Sequence, residues 1–413
     1  MTTLYRAPVV LPIAGPPIRD GGVLVADGRI QAVGPIGSLR ADETVEFTGI
    51  LTPGLVNAHT HLCYSAYADH YGNGKKFFEW IQDFARRNPT MSQAVWEDSV
   101  RAGVAASLRN GVTGIADVVT PPEALPPLLE SGLTGTVYFE ACFIDDNGWQ
   151  NSRAVFLNIV ERTLSGNGSD LRVGVSPHTL YTLGRAVGSD IAAIARERGL
   201  RLHPHLAETL HEDEYVRSGS GAFADMGREL GACFELLDGG CGTSPAVEMD
   251  KWGLLGADSH VAHGVHLDAA DRALLRQRGT SVALCPRSNA RLEAGRPPVA
   301  AYRAEGSPVA VGTDSLASSP DLDVAAELPL LRSIALEQGD SGDGLDEWLF
   351  TAATLGGAAA MGRDDFGALV PGARADLAVF DVDPGGDPYA ALVSQAAGSC
   401  VATVLAGRLV DHG

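Results

Sequence analysis

Eight short apolar segments, separated by longer segments rich in Ala, Leu and Arg, most constrain how this chain can fold. They are residues 50–61, 111–119, 135–143, 171–179, 200–208, 259–267, 281–289 and 309–316. Short apolar runs are typical of buried strands, and the segments between them have the composition of helices. Alternating strands and helices build parallel sheets. The repeat therefore predicts an α/β fold, and the count of eight favours a (β/α)8 TIM barrel over an open doubly wound sheet.

The two ends of the chain differ from this repeat, because both have the pattern of short strands joined by tight turns. Near the start, Asp27-Gly28 separates two apolar runs, which is a hairpin signal. Near the end, Ala406-Gly407 lies where a turn is needed between two such runs. We expect both ends to pair in one small β-sandwich domain. The predicted domains are residues 1–53 and 362–413 for the sandwich and residues 54–361 for the barrel.

The balance of charges narrows the possible partners. The 413 residues include 31 Lys and Arg against 51 Asp and Glu, a formal net charge of −20. Because such a charge repels phosphate backbones and anionic lipids, we expect neither a nucleic acid nor a membrane as partner. The six cysteines form no C-x-x-C pair, which is typical of reduced thiols in a cytoplasmic protein. Residues 1–22 lack the pattern of a signal peptide, and no apolar run is long enough to span a membrane.

Histidines gather at the ends of the predicted strands. The residues concerned, with one aspartate, are His59, His61, His178, His203, His205, His263, His266 and Asp314. Because the carboxyl ends of barrel strands converge on one face, these side chains can meet. In an H-x-H pair on a strand, both imidazoles point to the same side. Imidazole and carboxylate suit Zn²⁺ or Fe²⁺, so the pattern predicts a metal site, with zinc as the first choice.

Two strands each offer a choice between histidines. On the fifth strand we choose His205 as the ligand, because Glu208 follows it three residues later, and we expect His203 to lie deeper in the barrel. On the sixth strand, odd spacing sends His263 and His266 to different sides. We expect His263 to point inward and His266 to lie in a loop. Glu208, just beyond its strand, is placed to exchange protons with a substrate.

The order and spacing of these residues resemble the amidohydrolase superfamily, in particular its deaminase and chlorohydrolase branch. The motifs are LTPGLVNAHTH at 51–61, HLAE at 205–208, HGVH at 263–266, CPRSN at 285–289 and GTDS at 312–315. The resemblance implies that one divalent metal ion per subunit is held by His59, His61, His205 and Asp314. Other branches bridge two metal ions with a lysine from the fourth strand. Here the fourth strand, residues 171–179, contains no lysine, which favours a single metal ion.

The same resemblance implies three catalytic residues. Asp314 takes a proton from a water that the metal ion activates. His263 orients that water, and Glu208 protonates the ring nitrogen of an aminopurine as its amine is replaced and leaves as ammonia. The expected class is therefore a hydrolase of C–N bonds other than peptide bonds, a deaminase.

Four further sequence segments point to a particular substrate. Residues 134–141, 175–183, 285–295 and 312–318 resemble the aminodeoxyfutalosine deaminases of the futalosine route to menaquinone. This implies 6-aminodeoxyfutalosine, a 6-aminopurine nucleoside with a 3-carboxyphenyl group, as the substrate. Deaminases of methylthioadenosine and S-adenosylhomocysteine carry a ribose-binding carboxylate where an alignment on Glu79-Trp80 places Pro89, which disfavours them. The alternatives are those two nucleosides, adenosine, guanine or a triazine, a cyclic amide hydrolase, or a non-catalytic metal-binding relative.

An aryl carboxylate favours an arginine, which binds it through two hydrogen bonds. The candidates are Arg287, Arg291, Arg153, Arg86 and Arg87. Arg287 is the first choice because it lies beside the tip of the seventh strand, and Ser288 and Asn289 are grouped with it as substrate-binding residues. His178 and Tyr181 are expected to contact the sugar or the purine.

Aromatic residues follow the first strand. Tyr64, Tyr67 and Tyr71 are expected to cover a flat substrate, whereas Phe77, Trp80 and Phe84 have the spacing of a helix that packs its own core. Because barrels of this kind are commonly homo-oligomers, a homodimer is the oligomeric state considered.

Overall fold

The computed structural model describes residues 1–71, 77–166 and 168–411. The side chain of Tyr71 is not among the described ones, so its expected role lies outside them. The strands are β1 (Thr2–Val10), β2 (Ile18–Ala26), β3 (Arg29–Pro35), β4 (Glu43–Glu46), β5 (Ile50–Pro53), β6 (Leu55–Thr60), β7 (Val112–Val119), β8 (Thr134–Ala141), β9 (Leu171–Pro177), β10 (Arg201–Leu202), β11 (His205–Leu206), β12 (His260–His263), β13 (Ser281–Leu284), β14 (Val309–Val311), β15 (Leu377–Phe380), β16 (Cys400–Leu405) and β17 (Arg408–Leu409).

Helices separate the central strands. They are α1 (Ala68–Tyr71), α2 (Phe77–Arg87), α3 (Gln93–Arg109), α4 (Leu125–Leu129), α5 (Asp146–Gly166), α6 (Arg185–Glu197), α7 (Leu210–Ser218), α8 (Ala222–Glu229), α9 (Pro245–Lys251), α10 (Ala269–Arg278), α11 (Pro286–Arg291), α12 (Val299–Ala304), α13 (Leu328–Glu337), α14 (Leu345–Thr351), α15 (Gly357–Ala360) and α16 (Pro388–Gln395). None of the helices in the described ranges is both long and apolar enough to cross a membrane.

The eight predicted strand segments are confirmed as the parallel strands β6 to β14. They form a five-stranded sheet in the order β10-β9-β8-β7-β6 and a four-stranded sheet in the order β11-β12-β13-β14. The fifth segment is split into β10 and β11 around Pro204, which has no backbone N–H to donate to a ladder. A bridge between Leu202 and Ser259 links β10 to the residue before β12.

The outer strands β14 and β6 also meet. The backbone N–H groups of Thr313 and Asp314 both donate to the carbonyl oxygen of His59, at 3.1 and 3.0 Å. Gly312 lies so close that a Cβ atom there would be 2.8 Å from the Cβ of His59, so only glycine fits. The two parallel sheets are therefore connected along both flanks, and the last strand is placed directly against the first.

Both chain ends pair in one further sheet, which we call the end sheet. Its order is β17-β16-β15-β5-β1-β2-β3, and β4 also pairs with β1. In it β15 is antiparallel to β5, so the last part of the chain lies beside the first, as the sequence predicts. Val10, Val23, Leu51 and Val379 belong to its apolar core.

A buried ion pair joins the end sheet to the parallel strands. Arg374 Nε donates to both carboxylate oxygens of Asp376, at 2.9 and 2.8 Å. The same guanidinium reaches the Gly132 carbonyl, just before β8, at 2.7 Å and also pairs with Asp170, just before β9. These contacts lie at the amino ends of the parallel strands, opposite the ends that carry the histidines.

Candidate metal centre and active site

The structure brings together the residues that the sequence predicts as metal ligands. Donor atoms of His59, His61 and His205 lie within 4.8 Å of one another, as do those of His59, His263 and Asp314. Asp314 Oδ1 is 3.8 Å from Nε2 of both His59 and His61. All of these side chains are buried at the carboxyl ends of β6, β11, β12 and β14. We call this group the histidine cluster.

The chemistry of the histidine cluster fits a divalent cation. Nε2 of His59 and Nδ1 of His205 are buried, and neither has a hydrogen-bond partner among the described residues. Burial lowers the pKa of both imidazoles well below the usual range, so they are neutral at ordinary pH. Neutral imidazole nitrogens with free lone pairs are what Zn²⁺ or a similar ion requires.

A hydrogen-bonded chain behind the cluster fixes the orientation of His59. His203 Nδ1 lies 2.8 Å from the carbonyl oxygen of His260, and a carbonyl can only accept. His203 Nε2 therefore accepts from His59 Nδ1, at 2.8 Å. This leaves the lone pair of His59 on Nε2, which faces Asp314. His203 thus lies behind the cluster and supports a ligand from its far side.

Asp314 is held by three donors. Its Oδ2 accepts from Ser288 Oγ at 2.7 Å and Ser318 Oγ at 2.9 Å, and its Oδ1 accepts from the Ser315 N–H at 2.7 Å. Its backbone φ of 61° is a left-handed conformation that residues other than glycine rarely adopt. Such strain persists only where the surroundings enforce it, and it aims the carboxylate at the histidines.

His263 belongs to the same group as His59 and Asp314 and has a similarly strained φ of 72°. Its Nδ1 accepts from Asn289 Nδ2 at 3.1 Å, which places the ring proton on Nε2. That nitrogen is 3.8 Å from Glu208 Oε1. Burial lowers the pKa of His263 to about 4, so the imidazole is neutral.

Ser288 and Asn289 therefore do not take the substrate-binding positions expected of them. Both are fully buried behind catalytic candidates, Ser288 on Asp314 and Asn289 on His263. The CPRSN motif begins at the end of β13 and turns into α11, which points these side chains back towards β12 and β14. Their structural role is to position Asp314 and His263.

Glu208 is a buried carboxyl with an environment that favours its neutral form. Burial raises its pKa well above the usual range, and the charges of Asp314 and Glu212 add to the effect. The backbone beneath it is fixed by Glu212, whose carboxylate accepts from the N–H groups of Ala207 at 3.0 Å and Glu208 at 3.1 Å. A carboxylic acid that keeps its proton near neutral pH can act as a general acid.

A cavity of about 190 Å³ opens above the histidine cluster. His178 and Tyr181, which the sequence predicts to contact the sugar or the purine, line this cavity, and so does Tyr64. Phe77, Trp80 and Phe84 of α2, which the sequence predicts to pack only in a helix core, also form part of the cavity wall. The apolar and aromatic lining residues are Tyr64, Phe77, Trp80, Ile81, Phe84, Phe143 and Tyr181. Such a wall suits a flat, largely apolar ligand.

The structure does not bring Arg287 to this cavity. Its guanidinium makes two hydrogen bonds of 2.8 Å to Asp321, so its carboxylate-binding face is already occupied. Among the other candidates, Arg86, Arg87 and Arg153 pair with Asp83, Asp69 and Asp190. No arginine or lysine of the described residues lines the cavity, which corrects the expectation that Arg287 binds a substrate carboxylate.

One buried carboxyl group of the cavity is not among the residues that the sequence predicts. Glu140, at the end of β8, lines the cavity and is 7% exposed. Burial raises its pKa to about 7. The available signal was its place near the end of an apolar strand segment, where a charged residue has no structural reason to be.

The comparisons with known proteins agree with this geometry. The model of the amidohydrolase family matches residues 50–410. The 5-methylthioadenosine/S-adenosylhomocysteine deaminase of Halobacterium salinarum is 33% identical, over 89% of this chain and 81% of that protein. The aminodeoxyfutalosine deaminase of Deinococcus radiodurans is 32% identical over 76% of each chain.

A solved structure shows the same fold. The adenosine deaminase of Xanthomonas campestris, determined with bound zinc, superposes with a TM-score of 0.83 at 24% identity, covering 98% of this chain and 92% of that one. The family match spans the central strands, the histidine cluster and all of β15 to β17. The chain belongs to the amidohydrolase family, and it is a hydrolase of C–N bonds of the adenosine-deaminase type.

Proposed function

We propose that this chain removes the amine from a 6-aminopurine nucleoside by hydrolysis, with one zinc ion held by His59, His61, His205 and Asp314. The observation that carries the proposal is Glu208, a buried carboxylic acid 3.8 Å from His263 at the edge of the histidine cluster. Attack on an aromatic ring carbon needs a proton on the neighbouring ring nitrogen, whereas attack on the carbonyl of a cyclic amide does not. Glu208 therefore supports deamination over cyclic amide hydrolysis.

The chain's own residues have separate tasks in this reaction. A divalent ion bound at the cluster supplies a water of lowered pKa. Glu208 gives its proton to the ring nitrogen beside the amine-bearing carbon, and it recovers a proton from the new hydroxyl group as the amine leaves. Asp314, held by Ser288 and Ser318, accepts a proton from the attacking water and can pass one to the departing amine. His263 orients the attacking water through Nε2–H, and the aromatic wall keeps other water away from the purine.

For the nucleoside itself, we put 6-aminodeoxyfutalosine first. Residues 134–141, 175–183 and 285–295 resemble the deaminases of that compound, and the Deinococcus radiodurans relative carries that name. The enzyme would then act in menaquinone synthesis. The second candidate is an adenosine derivative with an uncharged 5′ group, such as methylthioadenosine. It is favoured by the apolar cavity wall, to which no described arginine or lysine contributes.

The architecture that goes with this function is also a proposal. We propose that the two parallel sheets close into one (β/α)8 barrel over residues 54–361, beside a β-sandwich domain of residues 1–53 and 362–413. A homodimer, a cytoplasmic location and no contact with nucleic acid or membrane complete the proposal. The connections of β14 to β6 and of β10 to the start of β12 support barrel closure.

Ammonia release from purified protein of known metal content tests the function. The panel is 6-aminodeoxyfutalosine, methylthioadenosine, S-adenosylhomocysteine, adenosine, guanine, a chlorotriazine (by chloride release) and a cyclic amide such as dihydrouracil (by ring opening). We expect the first compound to have the highest kcat/KM, and Glu208→Gln to lower it about 10²- to 10⁴-fold with the metal retained.

The other outcomes separate the alternatives. Preference for methylthioadenosine would move the assignment to the second candidate and leave the mechanism unchanged. Turnover of the cyclic amide or the triazine alone would refute nucleoside deamination. A metal-loaded protein that turns over none of these compounds would be a non-catalytic relative.

A further inference from the structure

Glu140 is a buried carboxyl that faces the cavity with one oxygen unused. Its Oε1 is buried and has no hydrogen-bond partner among the described residues. Its Oε2 accepts from Thr120 Oγ1 at 2.6 Å. Because burying an unpaired polar atom costs free energy, an oxygen left this way in a substrate cavity indicates a partner on the ligand.

A directed chain of hydrogen bonds holds Glu140 in place. Thr120 Oγ1 gives its proton to Glu140, so it accepts from the hydroxyl of Tyr64 at 2.9 Å. Tyr64 Oη in turn accepts from Asn88 Nδ2 at 3.4 Å, and Asn88 Oδ1 accepts from Tyr67. Every donor in the chain points towards Glu140. The chain uses Oε2 and leaves Oε1 as an acceptor whose position is fixed.

Glu140 lies outside the group of donor atoms that His59, His263 and Asp314 form. Its carboxylate lies within 4.8 Å of donor atoms of His178 and His205. His263 and Asp314, which handle the amine and the attacking water in the proposed reaction, group instead with His59, although the charge of Asp314 still helps to raise the pKa of Glu140. Glu140 is therefore placed for a part of the substrate other than the amine.

A 6-aminopurine nucleoside offers hydrogen-bond donors in only two places. The purine nitrogens N1, N3 and N7 accept, so the donors are the 6-amine and the hydroxyls of the sugar. With the amine beside Asp314 and His263, a sugar hydroxyl is the group left for Glu140. We propose that Glu140 Oε1 accepts a hydrogen bond from a 2′- or 3′-hydroxyl of the substrate, and that this contact selects ribonucleosides.

This inference rests on the proposed function, and a pair of substrates separates the two. Adenosine and 2′,3′-dideoxyadenosine differ only in the two hydroxyls. We expect the metal-loaded enzyme to prefer adenosine by about 10- to 100-fold in kcat/KM, as a hydrogen bond to a charged group implies. Glu140→Gln should lose most of that factor on adenosine and little on the dideoxy compound, so that its preference falls to a few-fold.

Two further variants guard against a merely structural effect. Thr120→Val keeps the carboxylate and removes its inner donor, and it should weaken the preference less than Glu140→Gln does. Glu123→Gln makes the same chemical change at an exposed position and should leave the preference unchanged. Each variant is compared at equal metal content and with its melting temperature recorded.

The remaining outcomes refute the inference in different ways. Equal losses on both substrates in Glu140→Gln would mean that Glu140 acts on the purine or on the fold, and the sugar contact would be refuted. A second equivalent of metal in the wild type that Glu140→Gln loses would assign Glu140, His178 and His205 to a cation instead. Turnover of neither nucleoside by the wild type, nor of any other purine nucleoside, would refute the proposed function itself.

Discussion

The end sheet and the histidine cluster differ in how their buried carboxyl groups are paired. In the end sheet, Asp376 is 3% exposed and accepts two hydrogen bonds from Arg374 and one from the N–H of Ala406. At the cluster, Glu208 is 6% exposed and lies 3.8 Å from Nε2 of the neutral His263, with no arginine or lysine among the described residues that line the cavity. In the end sheet, the partners of the buried carboxylate come from the chain itself. At the histidine cluster, buried polar atoms are left without such partners within the described part of the chain and are available to a metal ion or a substrate.

Isolated unsatisfied polar atoms also occur elsewhere in the described residues, as at Thr113 and Arg201, so it is their concentration around one cavity that points to the chemistry. A buried polar group that is fully hydrogen-bonded contributes to a defined structure, whereas an unsatisfied one costs free energy that a bound water, ion or ligand can return. His59 Nε2, His205 Nδ1 and Glu140 Oε1 are all unsatisfied, and all lie at one end of the parallel strands. The Arg374–Asp376 pair lies at the other end.

The largest effect is expected from removing a ligand. His59→Ala should lower bound metal from about one ion per chain to less than about a tenth, because the remaining donors no longer complete a site, and turnover should fall with it. Elemental analysis of the dialysed protein measures this loss. The matched control is His211→Ala, an exposed histidine of α7, which should keep both metal and activity. Full metal content in His59→Ala would show that the cluster is not the binding site.

In the end sheet, the expected effect is on stability. Arg374→Ala leaves Asp376 buried without its cation, which should lower the free energy of unfolding by about 3–5 kcal/mol. The metal content of the folded fraction should not change. Arg6→Ala, which breaks an exposed pair with Glu46, should cost less than about 1 kcal/mol. Urea unfolding of metal-loaded protein measures both, and equal losses would mean that the two pairs do not differ as proposed.

A smaller effect should appear in the dependence of stability on pH. Burial raises the pKa of Glu212, which supports the backbone of Glu208, from 4.5 to about 7. Between these values the folded state holds a proton that the unfolded state releases, so the free energy of unfolding falls as pH rises. The loss is about 3 kcal/mol in all, and it is complete above pH 7.

Glu212→Gln removes this titration. Unfolding of both metal-loaded proteins in urea from pH 4.5 to pH 8 should therefore show the wild type losing stability relative to the variant as pH rises. A constant difference between the two would mean that Glu212 is charged in the folded protein throughout this range.

Much of the fold and of the cluster could be predicted from the sequence, because both depend on local pattern. Apolar runs mark the eight strands, and the strand ends that carry His59, His61, His205 and Asp314 meet because parallel strands share a carboxyl edge. The choice of His205 over His203 relied on Glu208, and the structure places His203 behind His59.

The substrate side of the site could not be predicted in the same way. Whether Arg287 is available depends on Asp321, 34 positions later in the chain, which only the fold brings near. Ser288 and Asn289 point backwards because α11 starts directly after β13. The orientation of the Glu140 carboxylate depends on hydrogen bonds through Thr120, Tyr64 and Asn88, which come from three separate segments of the chain. A motif shows that a polar residue is present, whereas its partner is decided by tertiary contacts.

The contact between β14 and β6 affects how easily proteases digest the protein once its metal ion is removed. Thr60 Oγ1 donates to the carbonyl of Asp314, 254 residues away, so the stretch between them forms one closed loop. An ion held by both His59 and Asp314 adds a reversible cross-link across that loop, and longer loops lose more entropy on closure. Chelation should therefore leave the whole central stretch more open to proteases, and susceptibility to digestion becomes a measure of metal occupancy.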